Sequence, residues 1–314
     1  TAYEIYQCDW SSDVCSSDLL MGARALREPS LMAASRIAVK AGVKLFAEVF
    51  PTRIERGAGL PHVERIAYLA ELASVQLHGL KHLILVDAKS PVSFFAYPGK
   101  VSDLVPEGCS VHTLALPTQD AVGGLLRLAH KLGADEVQPM LQSAIRPDRP
   151  KGKLTAEKVC KAVGHLLPER AIIVDEAQTS GVFLPMFTRG APAHDVITLT
   201  GGAIGQGLPN AVGAAIACPD RPVLALVGDG SAMYTIQALW TMARERLNVT
   251  TVILNNKSYA ILNVELQRVG ATGQGGGSGA KARSQLDLSN PGLDFVQLGA
   301  SMGVHSVRAT TAEE

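Results

Sequence analysis

The sequence predicts an α/β protein with two doubly wound parallel-sheet domains. The runs VLALV at 223–227 and TVIL at 251–254 are apolar, shorter than an ordinary helix, and end abruptly in small polar residues. Such runs are typical of buried parallel strands. Between them, residues 232–246 carry apolar side chains at helical spacing and basic side chains in the last turn. The unit is therefore β-α-β, and we expect a ligand at the carboxyl ends of its strands.

The first nineteen residues, TAYEIYQCDWSSDVCSSDL, match nothing downstream. Residues 9–19 are the translation of a common short-read sequencing primer, and residues 1–5 translate the adjoining adapter. We infer adapter read-through fused to a genuine reading frame, and exclude residues 1–19 from the fold prediction. A natural Ser/Asp-rich tail is the alternative. On the adapter interpretation, we expect the native N-terminal region to be absent.

Composition excludes several functional classes. The 314 residues are 47% hydrophobic and 18% charged, which is ample for two domains. The 29 basic residues balance 29 acidic ones, but without the acidic residues of the adapter segment 25 remain and the net charge is +4. The basic residues do not cluster, so no nucleic acid partner is expected, and no apolar run reaches the ~18 residues of a membrane span. The cysteines at 109, 160 and 218 are isolated, which favours a reducing, cytoplasmic location.

Residues 20–144 form the upstream domain, for which we predict a Rossmann-like parallel layer. Helices are expected at 33–41, 63–77 and 119–132, and strands at 44–50, 82–86 and 110–116. The segment Arg56–Gly59 lacks the third glycine of a dinucleotide-binding turn, which weakens the alternative of an NAD- or FAD-linked oxidoreductase. Arg53 and Arg56 could meet an anionic ligand, or could simply be solvated surface residues.

A polar segment at 145–153 is predicted to be an exposed linker, followed by a C-terminal domain at 154–314. Further helices are expected at 154–167, 210–217, 259–268 and 295–302, and strands at 171–174 and 305–308. Residues 270–282 are glycine-rich and predict a mobile loop, either a lid or a plain linker. From residue 311 we expect a helix that is cut off in mid-turn.

Polar residues at the two central strand ends predict a metal and diphosphate site. Asp229 and Asn256 lie 27 residues apart, and their carboxylate and amide oxygens suit a hard cation such as Mg²⁺. Gly228 and Gly230 permit close approach of a phosphate, and Ser231 opens a helix whose free N–H groups favour an anion. A tight turn at one strand end and a helix cap at the other is the alternative interpretation. Residues 178 and 179, after strand 171–174, could donate to the same diphosphate or cap a helix.

These motifs resemble those of a known enzyme family. The segments GDGSAMYTIQALW and ILNNKSYAIL, at 228–240 and 253–262, are similar in sequence to those of thiamine-diphosphate-dependent enzymes, notably acetolactate synthase large subunits and benzoylformate decarboxylases. The resemblance implies that Asp229, Asn256 and the backbone of Ser258 hold Mg²⁺. It also implies that Ile204 bends the cofactor and that the carbonyl of Gly202 accepts from its aminopyrimidine. The cofactor-binding residues implied are Gln178, Thr179, Gly202, Ile204, Gly228, Asp229, Gly230, Ser231, Asn256, Ser258 and Tyr259.

The resemblance further implies a thiamine diphosphate- and Mg²⁺-dependent enzyme acting on 2-oxo acids. Decarboxylation with carboligation, as in acetolactate synthases, is expected. Decarboxylation alone, as in benzoylformate decarboxylases, is the alternative, although Ile54 stands where those enzymes carry a catalytic histidine. A non-catalytic α/β binding module is the alternative from another class.

No catalytic residue is assigned within the chain. The family's activating glutamate lies on an N-terminal domain and acts across a dimer interface, so we expect it before residue 20 and expect the chain alone to be inactive. Neither Glu48, Glu55 nor Glu176 matches a motif for that role. A homodimer or homotetramer is implied for the intact protein. Some relatives hold FAD on the central domain, but no motif here demands it.

Overall fold

The computed structural model describes residues 17–97, 99–268 and 279–314. It has two compact units, one ending at Ala144 and the other beginning at Ile145. Both are built on parallel sheets, and the α/β fold class predicted from the sequence is confirmed. Within the described ranges, no helix is both long enough and apolar enough to cross a membrane.

The first unit contains a parallel sheet with its earliest strand in the middle. The strand order is β4-β2-β1-β5-β6, so the chain crosses to the other side of β1 between β4 and β5. The core beneath it includes Phe46, Leu77 and Leu83, each at most 1% exposed. The strands of this unit are β1 Ser17–Met21, β2 Leu45–Ala47, β3 Arg53–Arg56, which lies outside this sheet, β4 Glu64–Arg65, β5 His82–Val86 and β6 Ser110–Ala115.

Strand β1 includes residues that we excluded from the fold prediction. Ser17, Asp18 and Leu19 pair with His82, Leu83 and Ile84 of β5, and every residue of β1 is buried. The exclusion of 17–19 from the fold is therefore wrong, because backbone pairing beside the apolar Leu19–Met21 run extends the strand towards the N-terminus. The adapter origin of residues 1–19 stays a prediction, and residues 1–16 lie outside the described residues.

The helices of the first unit follow the predicted pattern with one exception. Helix α1 ends at Ala41, as expected, where Gly42 adopts a left-handed φ of 71°. The predicted helix at 63–77 is wrong over its first half, where β4 pairs with β2 instead. The bounds are α1 Glu28–Ala41, α2 Ala70–Gln76 and α3 Ala121–Lys131, with a short 3-10 helix at Ala23–Leu26.

The second unit carries the two strands that the sequence singled out. Its strands are all parallel in the order β10-β9-β7-β8. Helix α6 packs on the sheet through Leu208 and Ala211, both 0% exposed. The strands are β7 Ile172–Glu176, β8 His194–Ile197, β9 Val223–Gly228 and β10 Val249–Leu254. The helices are α4 Ala156–Leu166, α5 Leu184–Phe187, α6 Gly207–Ala217, α7 Asp229–Ala232, α8 Ala238–Arg244, α9 Ala260–Arg268, α10 Ala280–Leu286 and α11 Phe295–Ser301, with 3-10 helices at Gln178–Gly181 and Thr200–Gly202.

Several predicted elements of the second unit differ from the structure. The helix expected over 232–246 is interrupted between α7 and α8, where the hydroxyl of Thr235 donates to the carbonyl of Gly205 at 2.7 Å. No strand forms at 305–308, and Thr311 pairs with Lys153 in a short bridge instead of starting a helix. Of the loop predicted at 270–282, residues 270–278 lie outside the described residues and residues 280–282 belong to α10. The linker at 145–153 has no regular secondary structure apart from that bridge.

Candidate functional site

The predicted site residues all follow the carboxyl ends of the strands in the second unit. Strand β10 lies beside β9 with Leu254 opposite Gly228, so Asp229 and Asn256 continue from paired positions. Strand β7 lies on the other side of β9 with Glu176 opposite Val227, and it leads into residues 178 and 179. Strand β8 leads into residues 202 and 204. The structure thus brings these residues to one sheet edge, while their roles as ligands stay predictions.

Asp229 is the most buried polar group of the metal-site prediction. Its side chain is 2% exposed, and Oδ1 and Oδ2 accept from the backbone N–H of Gly230 at 2.9 Å and of Lys257 at 2.6 Å. Burial raises the pKa of Asp229, and the surrounding backbone N–H groups oppose the increase. Among the described residues, no basic side chain contributes to this balance. A buried carboxylate without a cationic partner is well suited to receive a metal ion.

The loop after β10 supplies the other half of the predicted metal site. The side-chain oxygen of Asn256 accepts from the backbone N–H of Ser258 at 2.9 Å, and Lys257 between them has a left-handed φ of 58°. An amide oxygen has two lone pairs, so Asn256 retains one for a cation. The ring of Tyr259 packs against Gly230, where a Cβ would lie 2.4 Å from its Cε1. Burial, followed by the neighbouring Tyr234, raises the pKa of Tyr259.

Gln178 and Thr179 lie in the 3-10 helix that follows β7. Both are partly exposed, and within the described residues neither side chain has a hydrogen-bond partner. Gln178 holds a φ of +50°, in the left-handed region that costs a non-glycine residue on the order of 1 kcal/mol. Each side chain is therefore able to donate to an anion at this edge, as predicted for the diphosphate.

The loop after β8 carries the residues predicted to contact the cofactor rings. Ile204 is 42% exposed, an unusual position for a large apolar side chain beside a buried sheet edge. Gly202 has a left-handed φ of 68°. The side chain of Gln206 donates to the carbonyl of Thr200 at 3.0 Å and closes the base of the loop. An exposed isoleucine on a closed loop suits contact with an apolar ring.

Sequence reasoning did not identify the role of Glu176, the last residue of β7. Its side chain is 0% exposed, and Oε1 and Oε2 accept from the backbone N–H of Gly205 at 2.5 Å and of Gly207 at 2.6 Å. The nearby hydroxyl of Ser231 acts to lower the pKa of Glu176. Burial raises its pKa, and these hydrogen bonds act in the opposite direction. The only sequence signal was a glutamate ending an apolar strand.

The donors present fit Mg²⁺ and a diphosphate. Asp229, Asn256 and the backbone carbonyl of Ser258 offer only oxygen ligands, which is the preference of a hard cation. Among the described residues, no three His, Cys, Asp or Glu side chains group together to hold a metal ion, but a set with one carboxylate falls outside that class. The fit therefore depends on mixed oxygen donors.

The corresponding edge of the first unit does not fit FAD. A Cβ at Gly22, immediately after β1, would lie 2.4 Å from the carbonyl oxygen of Asp87 and 2.8 Å from the carboxyl carbon of Glu48. Burial and, more weakly, the charge of Asp87 raise the pKa of Glu48. Asp87 is paired with Arg24 at 3.4 Å, so it is the carboxylate of Glu48, beside the end of the central strand, that would repel the diphosphate of a dinucleotide.

Comparison with known families and sequences identifies relatives of the chain. The family described as thiamine pyrophosphate enzyme, C-terminal TPP binding domain, matches residues 178–314. A Mycobacterium tuberculosis protein provisionally named acetolactate synthase large subunit IlvX is 57% identical over 296 residues, covering 94% of this chain and 56% of that protein. A Pseudomonas aeruginosa benzoylformate decarboxylase is 33% identical over 209 residues, covering 63% of this chain and 37% of the enzyme. The chain thus spans about half or less of these relatives.

Solved structures show the same fold. The thiamine diphosphate-dependent 4-hydroxybenzoylformate decarboxylase of Rhodococcus jostii superposes with a TM-score of 0.74 at 24% identity, covering 99% of this chain and 59% of that one. The benzoylformate decarboxylase of Polynucleobacter necessarius gives a TM-score of 0.73 at 22% identity, covering 99% and 60%. At these identities, the likeness is evidence for the fold alone.

Proposed function

We propose that the chain, whose residues 178–314 match the C-terminal cofactor-binding domain of thiamine pyrophosphate enzymes, belongs to that family and that its second unit binds thiamine diphosphate together with Mg²⁺. The observation that carries the proposal is Asp229, a buried carboxylate that joins the ends of β9 and β10 and has no basic partner among the described residues. Asp229, Asn256 and the carbonyl of Ser258 would hold the metal. When bound, the cofactor supplies the electron sink for decarboxylating 2-oxo acids.

The chain's own residues would bind and orient the cofactor. Gln178 and Thr179 would donate to the diphosphate, beside Gly228 and the turn that follows it. Ile204 would contact the rings, and the carbonyl of Gly202 would accept from the aminopyrimidine. Tyr259 would close one side of the loop of residues 255–259, hereafter the metal loop, through its contact with Gly230.

For the whole protein, we propose decarboxylation of a 2-oxo acid with carboligation, as the name of the M. tuberculosis relative implies. Decarboxylation alone is the second candidate, and it is supported by the benzoylformate decarboxylase relative. Homodimeric or homotetrameric assembly and a cytoplasmic location belong to the same proposal. Glu176 and Asp229 are both held by backbone N–H groups, so neither is placed for proton exchange with the cofactor. We therefore propose that this chain binds the cofactor without turnover.

Calorimetric titration of the 314-residue chain with thiamine diphosphate tests the proposal. We expect saturable binding that requires Mg²⁺ and is lost in Asp229→Ala, because the variant lacks the buried ligand. Asp175→Asn, which neutralises a carboxylate one residue before Glu176 but keeps an oxygen for the N–H of Ala177, is the control and should still bind. Mg²⁺-independent binding, or equal binding by Asp229→Ala, would contradict the proposed metal site. Turnover of pyruvate by the chain alone would contradict the proposed need for a further glutamate.

A further inference from the structure

Glu176 lies between two parts of the site that a cofactor must contact at once. One is the loop of residues 200–207, hereafter the ring loop, and the other is the Gly228–Ser231 turn, hereafter the diphosphate turn. The carboxylate accepts from two backbone N–H groups of the ring loop, at Gly205 and Gly207, while the backbone of Glu176 pairs with Val227, directly before the diphosphate turn. A Cβ at Gly228 in that turn would lie 3.9 Å from the carbonyl oxygen of Glu176.

The contact with the ring loop leaves no spare room. A Cβ at Gly207 would lie 2.5 Å from Oε2 of Glu176 and 3.2 Å from Cγ2 of Val227. On its other side, the ring loop is fixed through the carbonyl of Gly205, which accepts from the hydroxyl of Thr235 at 2.7 Å. Thr235 follows the diphosphate turn in the chain, so Glu176 and Thr235 each connect the ring loop to the backbone next to that turn.

We propose that Glu176 is a positioning residue that sets the distance between the ring loop and the diphosphate turn, and so organises the site for a ligand that spans both. This inference rests on the proposed binding of thiamine diphosphate. Glu176 does not touch the cofactor in this scheme, because both carboxylate oxygens are occupied by the protein. The fixed distance between the two segments adds little to the affinity of a ligand that contacts only the diphosphate turn. It adds much to the affinity of a ligand that contacts both segments.

Glu176→Gln is the informative variant because it keeps the shape and changes the hydrogen bonding. The amide puts an NH₂ donor where one of the two carboxylate oxygens stood, so it cannot accept from Gly205 at one position and from Gly207 at the other. One buried backbone N–H is then left without a partner, and the lost free energy is enough to change an equilibrium constant by about tenfold. Asp175→Asn is the matched control, since it makes the same change one residue earlier on the strand, where the side chain points to the other face.

The first measurement needs no cofactor. Amide hydrogen exchange of the full chain, followed by NMR, should show Gly205 and Gly207 protected in the wild type. In Glu176→Gln we expect their exchange to accelerate by about tenfold or more, with helix α4 unchanged. Asp175→Asn should match the wild type at both glycines. Unchanged exchange at Gly205 and Gly207 in Glu176→Gln would overturn the positioning role.

The second measurement compares two ligands, both with Mg²⁺. Thiamine diphosphate should lose about tenfold or more in affinity in Glu176→Gln, and inorganic pyrophosphate less than about threefold. Equal losses for both ligands would mean that Glu176 merely supports the structure, and would overturn the proposal. If the wild type binds neither ligand, the proposed function fails, while the exchange of Gly205 and Gly207 still decides whether Glu176 anchors the ring loop.

A second pair of variants covers the case in which Glu176→Gln does not fold. Gly207→Ala places a methyl group against the carboxylate, and Gly213→Ala places the same group on the same helix, where nothing lies within 4 Å. Gly207→Ala should accelerate amide exchange at Gly205. It should also weaken the binding of thiamine diphosphate more than the binding of pyrophosphate. Gly213→Ala should do neither. Identical behaviour of the two alanine variants would contradict the proposal.

Discussion

The carboxylate of Asp229 accepts a hydrogen bond from the backbone N–H of Lys257 at 2.6 Å, so one side chain joins the loops that follow β9 and β10. The same carboxylate also accepts from Gly230 in its own turn. The two predicted halves of the metal site are therefore connected by the protein itself. The order of the metal loop then depends on Asp229 even when no ligand is bound.

Replacing Asp229 should loosen the metal loop in the metal-free chain. In Asp229→Ala, the N–H of Lys257 loses a charged acceptor, and we expect its exchange to accelerate by about tenfold or more. Asn256→Ala is the control because it removes the acceptor of the Ser258 N–H, not that of Lys257. Residue-resolved exchange by NMR distinguishes them. Protection of Lys257 that survives in Asp229→Ala would show that the loop is held by other contacts.

Relieving the backbone at Gln178 should separate stability from binding. Gln178→Gly removes a left-handed non-glycine residue and should raise the free energy of unfolding by up to about 1 kcal/mol. It should also weaken the binding of inorganic pyrophosphate in the presence of Mg²⁺, because the side-chain amide donor is lost. Arg170→Gly, at a φ of 59° away from the strand ends, relieves similar strain and should leave the affinity unchanged. Urea unfolding and calorimetry measure the two effects, and unaltered affinity in Gln178→Gly would remove Gln178 from the site.

Asp18 should limit the stability of the first unit at neutral pH. It is 7% exposed in β1, and burial, opposed by the N–H and charge of Lys44 and reinforced by the charge of Glu64, raises its pKa. A raised pKa means that the folded unit binds the proton more tightly, so this group costs stability as the pH rises through its folded pKa. Asp18→Asn keeps an oxygen for the Lys44 N–H and should stabilise the chain by on the order of 1 kcal/mol.

Urea unfolding at several pH values tests the role of Asp18. The advantage of Asp18→Asn should be largest at neutral pH and shrink as the pH falls towards 3.8, the ordinary value for Asp. Asp120→Asn, which changes an exposed helix-capping carboxylate in the same unit, is the control and should show no such gain. A gain that does not vary with pH would mean that charge is not the cause.

Two Arg–Asp pairs in the second unit should differ greatly in importance. Arg221 and Asp195 are 15% and 6% exposed in their side chains, whereas Arg170 and Asp220 are 67% and 63% exposed. Asp195→Ala leaves the Arg221 guanidinium without its carboxylate in a nearly dry position and should cost about 3 kcal/mol. Asp220→Ala should have no measurable effect on the urea midpoint. Similar midpoints for the two variants would show that the Arg221 charge is well solvated.

The sequence was sufficient for elements whose pattern is local. Strands β9 and β10 occur as predicted, since β9 is mainly apolar and β10 ends in the apolar run of residues 252–254, and Thr155 caps helix α4 by accepting from the N–H of Lys158. The helix expected at 63–77 failed because Leu60, Val63 and Ile66 repeat at helical spacing but point into the core from extended chain. Pairing of β4 with β2 outweighs that periodicity, and it is invisible in a single local window.

The site was predictable where its residues follow strand ends and unpredictable where they act at a distance. Asp229 and Asn256 stand in a recognisable pattern. Glu176 does not, because its partners Gly205 and Gly207 lie 29 and 31 residues further along the chain. The interruption between α7 and α8 has the same origin, since it depends on the contact of Thr235 with Gly205. Both features arise only once the sheet has assembled.

Strand β10 ends the order β10-β9-β7-β8, and none of its residues is fully buried, whereas β9 between its neighbours has buried residues at most positions. Asn256 therefore follows an edge strand, β10, which pairs only with β9 among the described strands. Asp229 follows β9, which pairs with strands on both sides. Detachment of β10 alone would dismantle the metal site while leaving the Glu176 contacts in place. Bound Mg²⁺ would then stabilise the pairing of that outer strand. The melting of β10 should therefore depend on metal concentration, even where the stability of the rest of the unit does not.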